Sequence, residues 1–265
     1  MNLYKNIHSV NLRKEIISYI MENMMNNFVT KLKTKANRYA ELKKQRGMSL
    51  LEVIIVLGII GTMAAAVVIL AQRAFDSQDI TDLVDNTNTV RVAVNNTYKD
   101  AGVYPTTATS PVTLVGAAGL ASKQGTNAPI ASTIVNLGQA SESEVKNGIS
   151  GDYFFMQGAT LTSATGSTAK GFVLSINGLD QGQCRSLIMQ LGNSWDYVEV
   201  ATAAAGADAT MPTTLDGAVD ITSAKGAAQG ILKSFATGGQ VQITADAASY
   251  ACSNTNTNAV LLGSK

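Results

Sequence analysis

The sequence predicts an α+β fold in which one long N-terminal helix precedes a domain of short strands and helices. Three observations favour this architecture. Residues 53–71 form a run of nineteen residues without a charge. Residues 80–101 then repeat apolar side chains at three- and four-residue spacing, which is the period of an amphipathic helix. Beyond residue 150 the apolar runs are short and separated by glycine and asparagine, as is typical of strands joined by turns.

The N-terminal segment is basic, whereas the rest of the chain is acidic. Residues 1–47 contain ten Lys and Arg against three Asp and Glu, a net charge of +7, and residues 48–265 contain ten against sixteen, a net charge of −6. Basic residues that flank a membrane-spanning run stay on the cytoplasmic side. We therefore predict that residues 1–47 lie in the cytoplasm and that the later residues are exported.

The apolar run that begins at Val53 is long enough to cross a lipid bilayer as a helix. A secretory signal peptide is one alternative, but its apolar stretch is shorter and a small-residue cleavage site follows it. Here the small residues Ala64–Ala66 lie inside the run. An uncleaved membrane anchor is the second alternative, and hydropathy alone favours it.

Glu52 distinguishes these alternatives, because a carboxylate at the start of an apolar run is costly in lipid unless it has a partner. Residues 48–72 contain no Lys or Arg. If the chain were cut after Gly47, the new α-amine of Met48 would be a cation at the depth of Glu52. Glu52 of one subunit could then pair with the Met48 amine of a neighbour, and this pairing would set the axial register.

Residues 46–53 have the sequence Arg-Gly-Met-Ser-Leu-Leu-Glu-Val, which resembles the prepilin peptidase site of type IV pilins. A methionine at the first mature position resembles the type IVb subgroup. Residues 48–79 are similar to the enteric adhesive pilins of the toxin-coregulated, CFA/III and longus group. The motif is specific, and the resemblance extends more loosely to the domain behind the helix.

The resemblance implies a role for three residues. Gly47 would fix the cleavage site, because the absence of a side chain lets the peptidase approach the backbone. Met48 would become the N-methylated mature N-terminus, and Glu52 would serve assembly. Residues 1–47 would then be a leader that prepilin peptidase removes.

The leader departs from the family pattern, because 47 residues is long even for type IVb pilins. Met21, Met24 and Met25 are alternatives to Met1 as the translation start.

We expect one helix from Met48 to Ala101, about 80 Å long at 1.5 Å per residue. Residues 48–71 would form its transmembrane and assembly half, and 72–104 its amphipathic half. The amphipathic stripe comprises Ile80, Leu83, Val84, Thr87, Val90, Val94, Tyr98 and Ala101. Gly102 and Pro105 would then end the helix.

Arg73 marks the point where the helix would leave the lipid. One interpretation is a basic side chain that reaches the membrane interface. The alternative is a salt bridge between subunits, with Glu142 or Glu144 of a neighbour as the partner.

Residues 105–265 would form the exported globular domain. Four segments are strand candidates, namely Tyr153–Met156, Phe172–Ile176, Tyr197–Ala201 and Gln240–Thr244. Residues 181–192 indicate a helix, and Ser141 or Ser143 could cap a shorter one. The resemblance implies the type IV pilin fold with one disulfide, in which a mainly antiparallel sheet packs on residues 75–101 of the helix.

The two cysteines are Cys184 and Cys252. An even pair in an exported domain indicates one disulfide, and two reduced buried thiols are the alternative. We expect the segment between them to form an exposed lobe.

Several function classes have little support in the sequence. The single histidine, His8, lies in the basic segment, so the exported part has no imidazole for a nucleophile pair or a metal site. We expect no enzyme, no metal and no cofactor. No basic cluster with aromatic residues follows Arg46, so we expect no nucleic-acid partner. Trp195 is interpreted as a core residue, and the carboxylates between 199 and 220 as solvated surface.

The sequence therefore predicts a structural subunit that polymerises with itself into a type IV pilus, for host-cell adhesion, bacterial aggregation and colonisation. Prepilin peptidase and the pilus assembly machinery would be its other partners, with a host surface or a secreted factor as possible targets. The precursor would reside in the inner membrane with a periplasmic domain, and the mature subunit in an extracellular fimbrium. A minor pilin or secretion-system pseudopilin is one alternative, and a membrane-anchored binding domain is another.

Overall fold

A computed structural model describes residues 25–27, 29–31, 49–221 and 229–265. Residues 25–27 and 29–31 are helical. The chain divides into two units, Met1–Val67 and Val68–Lys265. The helices are α1 (Leu50–Tyr98), α2 (Gly116–Ala121), α3 (Ile130–Asn136), α4 (Gln181–Leu191) and α5 (Ala245–Ala251). The strands are β1 (Phe155–Ala159), β2 (Gly171–Leu179), β3 (Tyr197–Thr202), β4 (Gly230–Lys233) and β5 (Asn258–Ser264).

Helix α1 is continuous over 49 residues, about 74 Å at 1.5 Å per residue. It is slightly shorter than predicted, because a turn follows Tyr98. The amide of Gly102 donates to the Tyr98 carbonyl at 3.0 Å, and Gly102 has a φ of +63°. Only glycine adopts this left-handed conformation readily, and it allows the chain to turn away from the helix.

The C-terminal part of α1 buries one stripe, as its period predicted. Ile80, Leu83, Val90 and Val94 are at most 3% exposed. Thr87 lies in the same stripe and is fully buried. Its hydroxyl is satisfied there, because it donates to the Val84 carbonyl at 2.9 Å. The predicted stripe ends early, because Ala101 follows the helix and is exposed.

The sheet has five strands in the order β1-β2-β5-β3-β4, and every neighbouring pair is antiparallel. The predicted antiparallel sheet is therefore confirmed. β5 occupies the centre, where it pairs with β2 on one side and β3 on the other. The sequence-based prediction missed both β4 and this central strand.

Two of the four strand predictions need correction. The first strand begins at Phe155 rather than Tyr153. Gln240–Thr244 is not a strand, because Thr244 is the N-cap of α5 and its hydroxyl accepts from the Ala247 amide. The predicted helix after Ser141 is also absent, and that segment forms turns.

The sheet is covered on both faces. One core cluster contains Leu83, Val90 and Val94 of α1 together with residues of the sheet, among them Phe172, Leu174 and Val198. A second cluster contains Val173 and Tyr197, which alternate with those residues along the strands and so point to the opposite face. Residues 203–215 supply Ala203, Ala209 and Leu215 to the second cluster, and thereby cover the face away from the helix.

Gly158 allows the chain between α1 and the sheet to pass close to β1. Its amide donates to the Pro105 carbonyl at 2.7 Å, and a Cβ at this position would lie 2.5 Å from the Tyr104 carbonyl oxygen. No side chain fits in that space, so this crossing requires glycine.

A disulfide joins Cys184 of α4 to Cys252 at the end of α5. Asp180 starts α4 with a capping box, because its carboxylate accepts from the Gln183 amide while the Gln183 side chain accepts from the Asp180 amide. The predicted exposed lobe is wrong. The bridged segment contributes β3 and β4 to the sheet, and Trp195 within it is fully buried.

Glu199 is a second correction, since it was expected on the solvated surface. It lies on β3 and is partly buried, and it accepts a hydrogen bond from the Tyr197 hydroxyl at 2.7 Å. Burial raises the pKa of the Glu199 carboxyl, the Tyr197 hydroxyl lowers it in part, and the charge of Asp220 raises it further. Burial and the nearby carboxylates of Glu199 and Asp220 also raise the pKa of Tyr197.

We expect the double substitution Cys184→Ala and Cys252→Ala to lower the free energy of unfolding by about 4 kcal/mol in the loop-entropy description. The reason is that the bridge closes a loop over a sequence separation of 68 residues. Urea unfolding of the full chain in detergent measures the change. Reductant should impose the same loss on the wild type and none on the double variant, and equal midpoints for both proteins without reductant would contradict the prediction.

We expect Glu199→Gln to raise the urea midpoint at pH 7. Because burial holds the folded-state pKa of Glu199 above its unfolded value, about 4.3, the carboxyl contributes stability below that value and loses it as pH rises through the folded-state pKa. Glutamine keeps an acceptor for Tyr197 without the buried charge. The advantage of the variant should therefore disappear near pH 4.

Asp85→Asn serves as the matched control, since Asp85 is exposed in the middle of α1. It should leave the midpoint nearly constant at both pH values. A Glu199→Gln midpoint below the wild type at pH 7 would overturn the assignment.

Candidate functional site

The N-terminal part of α1 presents apolar side chains on every side. An 18-residue window of this helix has a mean hydropathy of 2.9 and no buried residue, so the helix is long and apolar enough to cross a membrane. The exposed fractions of its large side chains range from 39% at Val53 to 79% at Leu50. A helix satisfies its own backbone hydrogen bonds and can therefore enter lipid. A surface that is apolar all round needs lipid or other helices around it.

The start of α1 is capped by Ser49. The Ser49 hydroxyl accepts from the Leu51 amide at 3.3 Å, and its carbonyl accepts from the Glu52 amide at 2.9 Å. Ser49 is thus the N-cap, and Glu52 is the third residue of the helix. The partial positive charge of a helix N-terminus favours a carboxylate there.

The capping role of Ser49 is a feature that our sequence interpretation missed. The signal was present, because a serine followed three residues later by glutamate before an apolar run is the capping-box pattern. Glu52 therefore has a favourable position within its own helix in addition to any partner on another chain.

Among the described residues, no hydrogen bond or ion pair engages the Glu52 carboxylate. Gly47 and Met48 lie outside the described part of the chain. The pairing between Glu52 and a Met48 amine, and the cleavage at Gly47, therefore stay predictions.

Arg73 lies within α1, and its side chain is outside the description. Its two candidate partners are both engaged within the subunit. One carboxylate oxygen of Glu144 accepts from the Ser141 amide and hydroxyl, each at 2.7 Å. Glu142 accepts from the Tyr153 hydroxyl at 2.6 Å, and burial together with this contact raises the pKa of Tyr153 to about 12.

These contacts shape the segment that joins α3 to the sheet. Glu144 closes a turn at Ser141, and Glu142 ties the same turn to Tyr153, which is 3% exposed. Both glutamates are only partly exposed. The turn is therefore an ordered surface feature, and the pairing of Arg73 with Glu144 of a neighbour stays a prediction.

The described residues contain no group of three or more His, Cys, Asp or Glu side chains that could hold a metal ion. What the described site presents is a surface for contact with lipid or other helices. Its elements are an exposed apolar helix, a capped N-terminus and one carboxylate in the first turn.

Two family models match the chain. The model of the toxin-coregulated pilus subunit TcpA matches residues 133–258, and the prokaryotic N-terminal methylation motif matches residues 42–68. The second range contains Gly47, Met48 and Glu52, and the first contains both cysteines.

Relatives of known identity agree with these matches. The chain is 37% identical over 194 residues to the toxin coregulated pilin of Vibrio cholerae serotype O1 (strain ATCC 39315 / El Tor Inaba N16961), covering 73% of this chain and 77% of that protein. A second toxin coregulated pilin of Vibrio cholerae is 39% identical over 156 residues, with 59% and 62% covered.

A solved structure shares the fold. The crystal structure of TcpA, a type IV pilin from the Vibrio cholerae El Tor biotype, matches with a TM-score of 0.54 at 26% identity. The match covers 71% of this chain and 99% of that one. With its exposed apolar helix, antiparallel sheet and disulfide, this chain belongs to the toxin-coregulated pilin family of type IVb major pilins and is a structural subunit of a type IV pilus.

Proposed function

We propose that the subunit is processed between Gly47 and Met48, is N-methylated on Met48, and polymerises through residues 48–71. The observation that carries the proposal is the placement of Glu52. It is a carboxylate in the first turn of a helix whose exposed surface is otherwise uncharged up to Arg73. The match of residues 42–68 to the N-terminal methylation motif supports the same boundary.

In the proposed filament, the charge of the Glu52 carboxylate needs a cationic partner. In a filament core the carboxylate leaves water, and an unpaired buried charge is costly. Cleavage creates the α-amine of Met48, which stays cationic after methylation. A short, charge-assisted hydrogen bond between this amine and Glu52 of a neighbour would offset the desolvation and fix how far one helix slides along the next.

A second contact would lie where the helix leaves the apolar layer. Arg73 stands near the end of the apolar run, and Glu144 is a partly exposed carboxylate on an ordered turn. We include a salt bridge from Arg73 to Glu144 of a neighbouring subunit in the proposal. Because Glu144 is already held by Ser141, less side-chain entropy would be lost on pairing.

The proposal extends to the life cycle of the chain. Residues 1–47 act as a cytoplasmic leader, 48–71 span the inner membrane, 72–104 form the amphipathic half, and 105–265 form the periplasmic domain. Prepilin peptidase and the pilus assembly machinery act on this precursor, and the assembled subunit belongs to an extracellular fimbrium. The excess of basic residues before Gly47 supports this orientation.

The role of the filament follows from the family. The relatives are named toxin coregulated pilins. We propose that this pilus serves adhesion to a host surface, bacterial aggregation and colonisation.

We expect filament-derived subunit to begin at N-methylated Met48, because the leader must be removed before the Glu52 pairing can form. Mass spectrometry of the N-terminal peptide from sheared filaments checks this. An intact leader, or an N-terminus near Ala66, would be incompatible with the proposal. Gly47→Val should leave uncleaved precursor in the membrane fraction and no filaments.

We expect Glu52→Gln to give cleaved membrane subunit but no filaments, because the isosteric amide cannot pair with an amine as a carboxylate does. Glu52→Val, which also removes the polar side chain, should behave alike. Electron microscopy of cells and immunoblots of membranes measure the two outcomes.

Ser49→Ala is the matched control, since it removes the cap hydroxyl at a cost of about 1 kcal/mol and leaves the charge of Glu52. It should still form filaments. If Ser49→Ala abolishes filaments as fully as Glu52→Gln, capping rather than ion pairing explains Glu52. Normal filaments from Glu52→Gln would refute the ion pair itself.

A further inference from the structure

Arg91 joins three distant parts of the pilin. It lies in the amphipathic half of α1, and its Nε donates to the Ser264 hydroxyl at 3.0 Å in β5. Its Nη1 donates to the Ser194 carbonyl at 2.7 Å, and its Nη2 lies 3.6 Å from Oδ2 of Asp196. The three nitrogens of the guanidinium thus meet two segments, β5 and residues 194–196, and this arrangement requires the planar fork of arginine rather than lysine.

The guanidinium also lies over Trp195, with its central carbon 4.8 Å from the ring centroid. The Trp195 ring is fully buried, and its Nε1 has no hydrogen-bond partner among the described residues. The Trp195 ring therefore interacts with the Arg91 cation through its face. It also packs against Phe172, with the two ring centroids 6.2 Å apart. Arg91 is only 26% exposed, so solvent weakens these contacts less than on an open surface.

A carboxylate and a second cation lie near Arg91. Asp196 is 29% exposed and also accepts from the Ser264 hydroxyl at 3.3 Å. Lys233 of β4 donates to the Asn193 carbonyl at 3.3 Å. Burial lowers the pKa of Lys233, the charge of Asp196 raises it, and the charge of Arg91 lowers it again. Asp196 is therefore placed near two cations at this end of the sheet.

The contact with Ser264 requires the last strand of the chain to be in place in the sheet. Ser264 lies in the last strand of the chain, 173 residues after Arg91. That strand separates β2 from β3, so the sheet is incomplete until it is inserted. The Asp196 amide donates to the Gly263 carbonyl, so the segment that faces Arg91 also depends on β5.

We propose that Arg91 is a positioning residue for pilus assembly, which clasps the amphipathic half of α1 to the sheet only after β5 has been inserted. A subunit without inserted β5 would keep a loosely held helix and would not polymerise. The inference rests on the pilus-subunit function, but not on cleavage at Gly47 or on the Glu52 pairing.

Arg91→Met is the main test, because methionine keeps an apolar stem against Trp195 and loses every charge-assisted contact. In full-length pilin in detergent, the protection of β5 and residues 84–98 against hydrogen exchange should fall roughly tenfold or more. Trp195 is the single tryptophan of the chain, so its fluorescence reports directly on the clasp. Its emission should change in Arg91→Met, and cells should carry roughly tenfold fewer filaments.

Val90→Ala is the matched control on the same helix. Val90 is fully buried, so its truncation destabilises the core while the Arg91 contacts remain. At equal or greater loss of stability, this variant should keep the Trp195 emission and more filaments than Arg91→Met. Arg91→Lys should lie between Arg91→Met and the wild type, because it keeps the charge but its compact ammonium group lacks the planar fork that reaches Ser264, Ser194 and Asp196 at once. Filament loss in Arg91→Met no greater than in Val90→Ala, or unchanged Trp195 emission, would overturn the proposal.

A double-mutant cycle tests the link to β5 itself. Arg91→Met and Ser264→Ala should be non-additive in urea unfolding, since both changes remove the hydrogen bond between Arg91 and the Ser264 hydroxyl. Additive effects would contradict the clasp. Leader cleavage should be normal in all Arg91 variants, so failure of this proposal would be distinct from failure of the processing scheme.

Discussion

One uninterrupted helix carries two surfaces with opposite requirements, and the other features of the pilin follow from that constraint. The N-terminal part of α1 is apolar all round and needs lipid or other helices, whereas the part beyond Ile80 has a single buried stripe. Because both lie on one backbone, the same helix carries an exposed apolar surface and contributes to the core of the domain. The sheet packs against the buried stripe of the helix and so covers it from water.

The central position of β5 is the second constraint. β5 pairs on both edges, and all seven of its residues are buried because a core cluster covers each face of the sheet. The helix-side core and the opposite cluster both include residues of β5, namely Val260 and Leu262 in one and Ala259 and Leu261 in the other. Folding of the domain is consequently a non-local process, in which the chain end completes what the N-terminal helix begins.

The sequence allowed the helix and the disulfide pair to be predicted from local and compositional signals, whereas the antiparallel sheet was expected from the resemblance to type IV pilins. The length of α1 follows from hydropathy and a three- to four-residue period, and α4 begins as predicted. The strand β5 escaped because its residues are apolar on both faces and show no alternation. Gln240–Thr244 was mistaken for a strand because its polar and apolar residues alternate. In the structure the segment is a loop that ends at Thr244, the N-cap of α5.

The residues of the candidate site were likewise predicted only in part. Glu52 was evident from its isolation in an apolar run, whereas the capping role of Ser49 was overlooked beside the cleavage motif. Glu199 and Arg91 could not be placed from sequence, because their environments are built by residues far along the chain. Arg91 meets a serine 173 positions later, and no period or spacing indicates such a contact.

The bridge between Cys184 and Cys252 also bears on how a filament withstands proteases outside the cell. The exposed residues 204–208, which follow β3, lie inside the segment that the bridge encloses. A cut there leaves two pieces that are still covalently joined. The N-terminal piece retains α1, and the C-terminal piece retains β5 between β2 and β3. A nicked subunit would thus stay in place, and the pilus would keep its length.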